Sequence, residues 1–211
     1  MMVKRYVLCL GTLMCLAGAP VCAAEMLAPD ALARSVTQDV LAAVKADKDL
    51  QSGNFQKALQ VVEAKVLPHF DIGHMTRLAM GRNWRQATPD QQKTLISEFR
   101  TLLVRTYTAA FTQYRNQTVD YKLVKTAADD SDVTVKSVIN QPGSQPIAVE
   151  YRMEKTGQDW KVYDVKIEGI SLVENYRTTF SAEVQKGGIE GLIRALSEKN
   201  RTLASARASA K

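Results

Sequence analysis

Apolar positions recur every fourth residue in the first third of the chain and every second residue in its middle, so helices precede strands. Within "ALARSVTQDVLAAVKADKDL", Leu32, Val36, Val40 and Val44 form one stripe with Leu41 beside it, after Pro29-Asp30. Ser52-Gly53-Asn54 breaks that helix. Phe55, Leu59, Val62 and Val66 mark a second, closed by Pro68. "DIGHMTRLAMG" reads as a short helix capped by Asp71 and stopped at Gly81. The strongest helix start is "ATPDQQKTLISEFRTLLVRTYTAAFTQY". There Thr88 caps, Pro89 suits the first position, and Gln91 completes a capping box. Leu95, Phe99, Leu102, Leu103, Tyr107, Ala110, Phe111 and Tyr114 line one broad face of a helix of about seven turns.

The period then falls to two. Val119, Tyr121 and Leu123 alternate, as do Val133, Val135 and Ile139, with Val138 on the other face, and Ile147, Val149, Tyr151 and Met153. A fourth run spans Lys161 to Glu168, with Trp160 and Val162 on one face and Tyr163, Val165 and Ile167 on the other. "NQPGSQP" and "TGQD" are turns. Gly169 then releases the chain, Ser171 caps the next helix, and Glu174 completes a second capping box. Helices over Leu172–Gln185 and Ile189–Lys199 flank Gly187-Gly188, and the tail from Arg201 is expected to fray. This order predicts an α+β fold, a four-stranded antiparallel sheet covered by helices, with the long helix as cover.

The chain's beginning alters its expected location. Lys4 and Arg5, the apolar run Tyr6–Leu16 and the small residues Cys22-Ala23-Ala24 make residues 1–24 a secretory signal peptide, leaving residues 25–211 as one domain. Cys9, Cys15 and Cys22 all lie in the leader, so the exported part has neither disulfide nor thiol chemistry. Losing Lys4 and Arg5 lowers the formal charge from +6 to +4, compatible with anionic partners.

Catalytic signals are sparse. His69 and His74 are the only histidines and fit no zinc motif. No nucleophile elbow or phosphate-binding glycine loop occurs. Asp164 and Glu168 share a strand face, which more often means solvated charge than acid–base chemistry. Arg77, Arg82, Arg85, Arg100, Arg105 and Arg115 are scattered among acids and amides, unlike a nucleic-acid stripe, although one or two suit a phosphate at a cleft mouth. The surplus is hydrophobic: Tyr107, Phe111, Tyr114, Tyr121, Tyr151, Met153 and Trp160. Periodicity leaves two readings of it, ordinary core or an apolar cavity with a polar rim that suits a lipid-like ligand.

"HFDIGHMTRLAMGRNWRQATPDQQKTLISEFRTLLVRTYTAAFTQY" and "VEYRMEKTGQDWKVYDVKIEGISLVENYRTTF", followed by "GGIEGLIRALSEK", resemble the periplasmic phospholipid-binding proteins of the bacterial Mla system, the toluene-tolerance Ttg2 family. The resemblance covers nearly the whole exported chain. It implies a nuclear-transport-factor-2-like body that holds glycerophospholipid tails without cofactor, metal or reaction. It also implies exchange of lipid, through transient docking, with an outer-membrane lipoprotein–porin complex and an inner-membrane ABC transporter complex, which maintains outer-membrane lipid asymmetry. The lipid-lining residues expected from it and from the apolar pattern are Phe99, Leu102, Leu103, Tyr107, Phe111, Val135, Val149, Tyr151, Trp160, Val162, Tyr163, Val165 and Tyr176. Matching segments also supply Gly81, Arg82, Trp84, Asp164, Arg177 and Phe180, with Gly81 as a left-handed helix cap and an Asp164–Arg177 pair holding the last helix to the sheet. The rival functions are a binding protein for another apolar molecule and a small hydrolase using Asp164 or His74.

Overall fold

Pro29 does not merely precede the first helix; it occupies its first turn, where a missing N–H costs nothing, and Asp30 sits beside it at the positive end of the helix dipole. Helix α1 runs Pro29–Ala46 and is followed by a single turn, α2 (Lys48–Gln51). These coordinates come from a computed structural model that describes residues 27–112, 116–124, 127, 129–157 and 159–208. The expected leader, residues 1–24, lies outside the described residues. Helix α3 (Phe55–Val61) widens into a π-helical turn at Val62–Val66 and tightens to a 3-10 turn at Leu67–His69, where Pro68 ends it. The Asp71 carboxylate accepts from the His74 N–H at 2.7 Å and opens α4 (Ile72–Met80).

The long helix α5 spans Pro89–Thr112, about 36 Å at the usual rise. Its capping box is reciprocal: Thr88 N–H donates to the Gln91 side chain at 2.9 Å, and Gln91 N–H donates to Thr88 Oγ1 at 3.3 Å. Helix α6, Leu172–Ala208, is kinked where Gly187 and Gly188 leave helical geometry. The kink falls at the expected break, and helix continues past Arg201 to Ala208, where fraying was expected; the last three residues lie outside the described ones.

The sheet is an antiparallel meander in the order β1 (Thr118–Tyr121), β2 (Asp132–Asn140), β3 (Ile147–Thr156), β4 (Asp159–Ile167), β5 (Ile170–Ser171). It therefore has five strands, not four. Glu168 (φ 52°) and Gly169 (φ 80°) form a two-residue turn with both φ values positive, which folds Ile170 back onto Ile167. On the other half of the same edge, Asp71 N–H donates to the Val162 carbonyl at 2.9 Å beside a bridge from Phe70. The edge of β4 is thus covered along much of its length.

A bulge in β4 changes which residues share a face. Arg152 pairs with Asp164 and Met153 with Val162, so Tyr163 is the extra residue. The alternation restarts one residue later. Trp160, Val162, Val165 and Ile167 consequently belong to one apolar layer, and Tyr163 does not join it.

Two large apolar layers result, beside a small cluster of Val44, Leu50 and Ala58 at the end of α1. In one, α1 residues Leu32, Ala33 and Val36 pack on Val133, Val135, Val149, Met153, Trp160, Val162 and Val165 of the sheet. In the other, α4, α5 and α6 enclose Met75, Ala79, Leu95, Phe99, Phe180 and Leu192. The cover on the first sheet face is α1, whereas the long helix was expected there. The stripe of α5 is satisfied instead by α4 and α6.

Candidate functional site

The two layers differ in the side chains they bring together. Phe99 and Leu95 are 0% exposed and Phe180 is 1% exposed. Phe99 meets Phe180 edge-on at 5.1 Å and Tyr176 at 4.9 Å. These rings interlock at the centre of the helical layer. Both layers have a buried centre and a partly buried margin: Leu78, Trp84, Tyr107 and Tyr176 edge the helical core, and Ala33, Val36, Tyr121, Ile139, Ile147 and Tyr151 edge the α1–sheet layer around Val135 and Met153.

That layer also carries hydroxyl groups. Ser137 is buried in the middle of β2 and donates to the Val149 carbonyl at 3.3 Å. Burial pushes the phenols of Tyr121 and Tyr151 upward, and both remain protonated donors near neutral pH. The Tyr121 hydroxyl lies 2.5 Å from Thr37 Oγ1 and 3.2 Å from the Ala33 carbonyl. These bonds latch α1 to the first strand of the sheet.

A cleft of roughly 390 Å³ opens at this latch. Arg34, Thr37, Gln38, Leu41 and Lys45 line it from α1, and residues 116–119 with Tyr121 line it from the other side. Arg34 lies over the Tyr121 ring at 5.3 Å. Among the described residues no carboxylate lines the cleft, so it is cationic, and Tyr121 joins it to the apolar layer. Chemically, this is a polar rim for an anionic headgroup beside a layer suited to hydrocarbon.

The expected lining residues fall on both sides of this division. Val135, Val149, Tyr151, Trp160, Val162 and Val165 come together in the α1–sheet layer. Phe99, Leu102, Leu103, Tyr107 and Tyr176 come together in the helical core. The backbone of Phe111 is in α5, but its side chain lies outside the described ones. Tyr163 is separate from both sets: its hydroxyl donates to Asp132 at 2.5 Å, His74 stacks on its ring at 4.8 Å, and the Arg152 guanidinium lies 4.9 Å over it. Burial and the Asp132 carboxylate push that phenol up to about 12. Sequence reading missed Arg34, Thr37 and Lys45. Their spacing with Gln38 and Leu41 along one helix face was the available signal.

The candidate acid–base groups have structural roles. Asp164 is 1% exposed and accepts from Ser171 Oγ at 2.7 Å and from Val173 N–H at 3.2 Å. It therefore caps α6 and makes no ion pair with Arg177. Ser171 Oγ in turn accepts from Glu174 N–H at 3.1 Å. His74 pairs with Glu154 at 2.6 Å. Partial burial holds His69 below the usual imidazole range. Among the described residues no cluster of three His, Cys, Asp or Glu side chains is placed to hold a metal ion, and no helix is long and apolar enough to cross a membrane.

The family model described as "MlaC protein" matches residues 34–198. A solved phospholipid-binding protein from Ralstonia solanacearum, in complex with a phospholipid, superposes with a TM-score of 0.77 at 46% identity, covering 83% of this chain and 98% of that one. The toluene tolerance protein Ttg2D of Pseudomonas putida is 27% identical over 182 residues, 84% of this chain and 83% of its own. The intermembrane phospholipid transport system binding protein MlaC of Haemophilus influenzae is 24% identical over 136 residues, 63% of this chain and 64% of its own.

Proposed function

The chain belongs to the MlaC protein family, and from that footing we propose that it is a phospholipid carrier that acts by binding and release, without a chemical step. The single observation that carries this reading is the phospholipid held by the Ralstonia solanacearum relative, which shares this fold over most of its length. The α1–sheet layer supports a location for the ligand. Acyl tails lie between α1 and the sheet against Val135, Val149, Tyr151, Trp160, Val162 and Val165. The phosphate stays at the cleft beside Arg34 and Lys45. Phe99, Leu102, Leu103, Tyr107 and Tyr176 brace the helical core next to it.

A cleft of roughly 390 Å³ accommodates a headgroup but lies at the small end of ligand sites, so two acyl chains require α1 to move away from the sheet. Each methylene buried there contributes about 0.8 kcal/mol, which offsets the cost of opening. The cycle is then passive: the latch at Thr37 and Tyr121 opens, tails replace Leu32, Ala33 and Val36 against the sheet, and docking to a partner reverses the exchange.

Residues 1–24 direct export and residues 25–211 form the carrier in the periplasm. There it exchanges lipid with an outer-membrane lipoprotein–porin complex and an inner-membrane ABC transporter complex, maintaining outer-membrane asymmetry. The test is organic extraction of the protein purified from its own periplasm, followed by mass spectrometry. Stoichiometric glycerophospholipid is expected. Lipid-free protein that takes up none from donor vesicles overturns the reading, and preferential retention of an aromatic solvent over phospholipid replaces it with a binding protein for another apolar molecule.

A further inference from the structure

A second cleft, of about 400 Å³, lies away from the tail layer and shares no lining residue with the first. It is bounded by His74, Arg77 and Leu78 of α4, by Gly81, Trp84 and Arg85 of the 3-10 turn that follows, and by Arg177 of α6. Its three arginines are exposed, and none forms an ion pair among the described residues. Elsewhere Arg100 pairs with Glu63, and Arg105 donates to the Asn200 carbonyl. Three like charges gathered without a lining carboxylate make a local positive field that an anion relieves.

The backbone is shaped around one of these groups. Gly81 adopts φ 53° and ψ −130°, a conformation that side chains disfavour. A Cβ there would stand 3.0 Å from Nε of Arg177 and 3.3 Å from one of its terminal nitrogens. The glycine thus leaves the space that the guanidinium occupies. Trp84 and Leu78 add apolar wall beside the charge.

We propose that this cleft is an anion site for a phosphate group, separate from the lipid-tail layer and independent of it. A guanidinium fork matches two phosphate oxygens at once, and three such groups around one cleft suit a multiply oxygenated anion better than a single carboxylate. The indole and Leu78 face whatever apolar substituent the phosphate carries. The same chemistry is offered by free phosphate and by the headgroups of an anionic bilayer.

Trp84 is the natural reporter, and Trp84→Phe assigns the signal to it. The full exported chain is titrated with inorganic phosphate, with phosphatidylglycerol vesicles and with phosphatidylcholine vesicles, and separately with a polyglutamate peptide. The expected result is a saturable Trp84 fluorescence change that weakens with added salt and needs at least tenfold more ligand in Arg77→Gln/Arg177→Gln. Phosphate alone sufficing identifies the free ion as source. A response to phosphatidylglycerol vesicles but not to phosphate identifies the bilayer headgroup. The single variant Arg85→Gln, at an exposed position, gives a second reading should the double variant fold poorly. Val135→Phe, which perturbs only the tail layer, should retain the response even where lipid uptake is lost. No response to any phosphate-bearing probe, an unchanged response in the arginine variants, or arginine-dependent binding of polyglutamate alone overturns the proposal.

Discussion

Asp164 shows how one side chain fixes the junction between sheet and helix. It is buried, yet both of its oxygens are occupied by Ser171 Oγ and the Val173 N–H. A buried carboxylate without such donors would be costly. Replacing it leaves two donors stranded, so Asp164→Ala should lower unfolding free energy by about 2–3 kcal/mol. Ser171→Ala should cost about 1 kcal/mol as a lost cap. Urea melts measure both, and a loss below the Ser171→Ala value at Asp164 contradicts this assignment. Tyr163 supplies a pH dependence. Its folded phenol is pushed up to about 12, above the ordinary value of 10.0, so the folded state holds a proton that the unfolded chain releases. Stability is therefore intact below pH 10 and falls as pH rises toward 12. Half-buried Tyr121, Tyr151 and Tyr176 share that direction. Tyr163→Phe should flatten part of this alkaline limb in melts at pH 9 to 11, and an unchanged slope counts against it. Ser171 as a cap was legible from its place before an apolar helical run. Asp164 as its partner was not, because the two meet only after β4 turns back on itself.

Elements were legible where their signals are local. The Thr88–Gln91 capping box, the four longer strands and the Gly187-Gly188 break all depend on neighbours within a few residues. The bulge at Tyr163 was hidden, since it depends on pairing with β3, and without it Trp160 and Val165 count as opposite faces. Strand β5 was hidden by its turn: Glu168 is an unusual residue at positive φ, where Asn or Asp before Gly gives the usual hairpin signal. The element that matters most for the proposed function is α1. Its hold on the sheet includes the Thr37–Tyr121 hydroxyl pair, and a net hydrogen bond contributes about 1 kcal/mol. Thr37→Val/Tyr121→Phe should therefore favour the open arrangement about fivefold. Stopped-flow uptake of fluorescent phospholipid from vesicles should accelerate by a similar factor, and slower or unaltered uptake would show that α1 is not the moving part.

At the scale of the whole molecule, the fold class follows from the order helices, strands, helices, but the partner of each apolar face does not. Helix α5 is long and broadly apolar, so it was the natural cover for the sheet. Three-dimensional packing gives its stripe to α4 and α6 and leaves α1 over the sheet. The expected lining residues on strands, Tyr163 excepted, thereby reach the same layer, while Phe99, Leu102, Leu103, Tyr107 and Tyr176 pack together among the helices. The division makes a global prediction: Phe180→Ala should destabilise the protein by about 3–5 kcal/mol, because it removes a side chain from a closed core. Val135→Phe should impair lipid uptake with a smaller stability loss, about 1–3 kcal/mol, because it overfills a layer that opens. Equal behaviour of the two variants in thermal melts and uptake assays would erase the distinction. The most direct measurement is photo-cross-linking with a phospholipid whose acyl chain bears a diazirine, followed by peptide mass spectrometry. Labels are expected on α1 and the facing strands, around Val36, Val135 and Tyr151. Labels confined to the helical core around Phe99 and Phe180, or no label at all, would contradict a carrier that holds its lipid between α1 and the sheet.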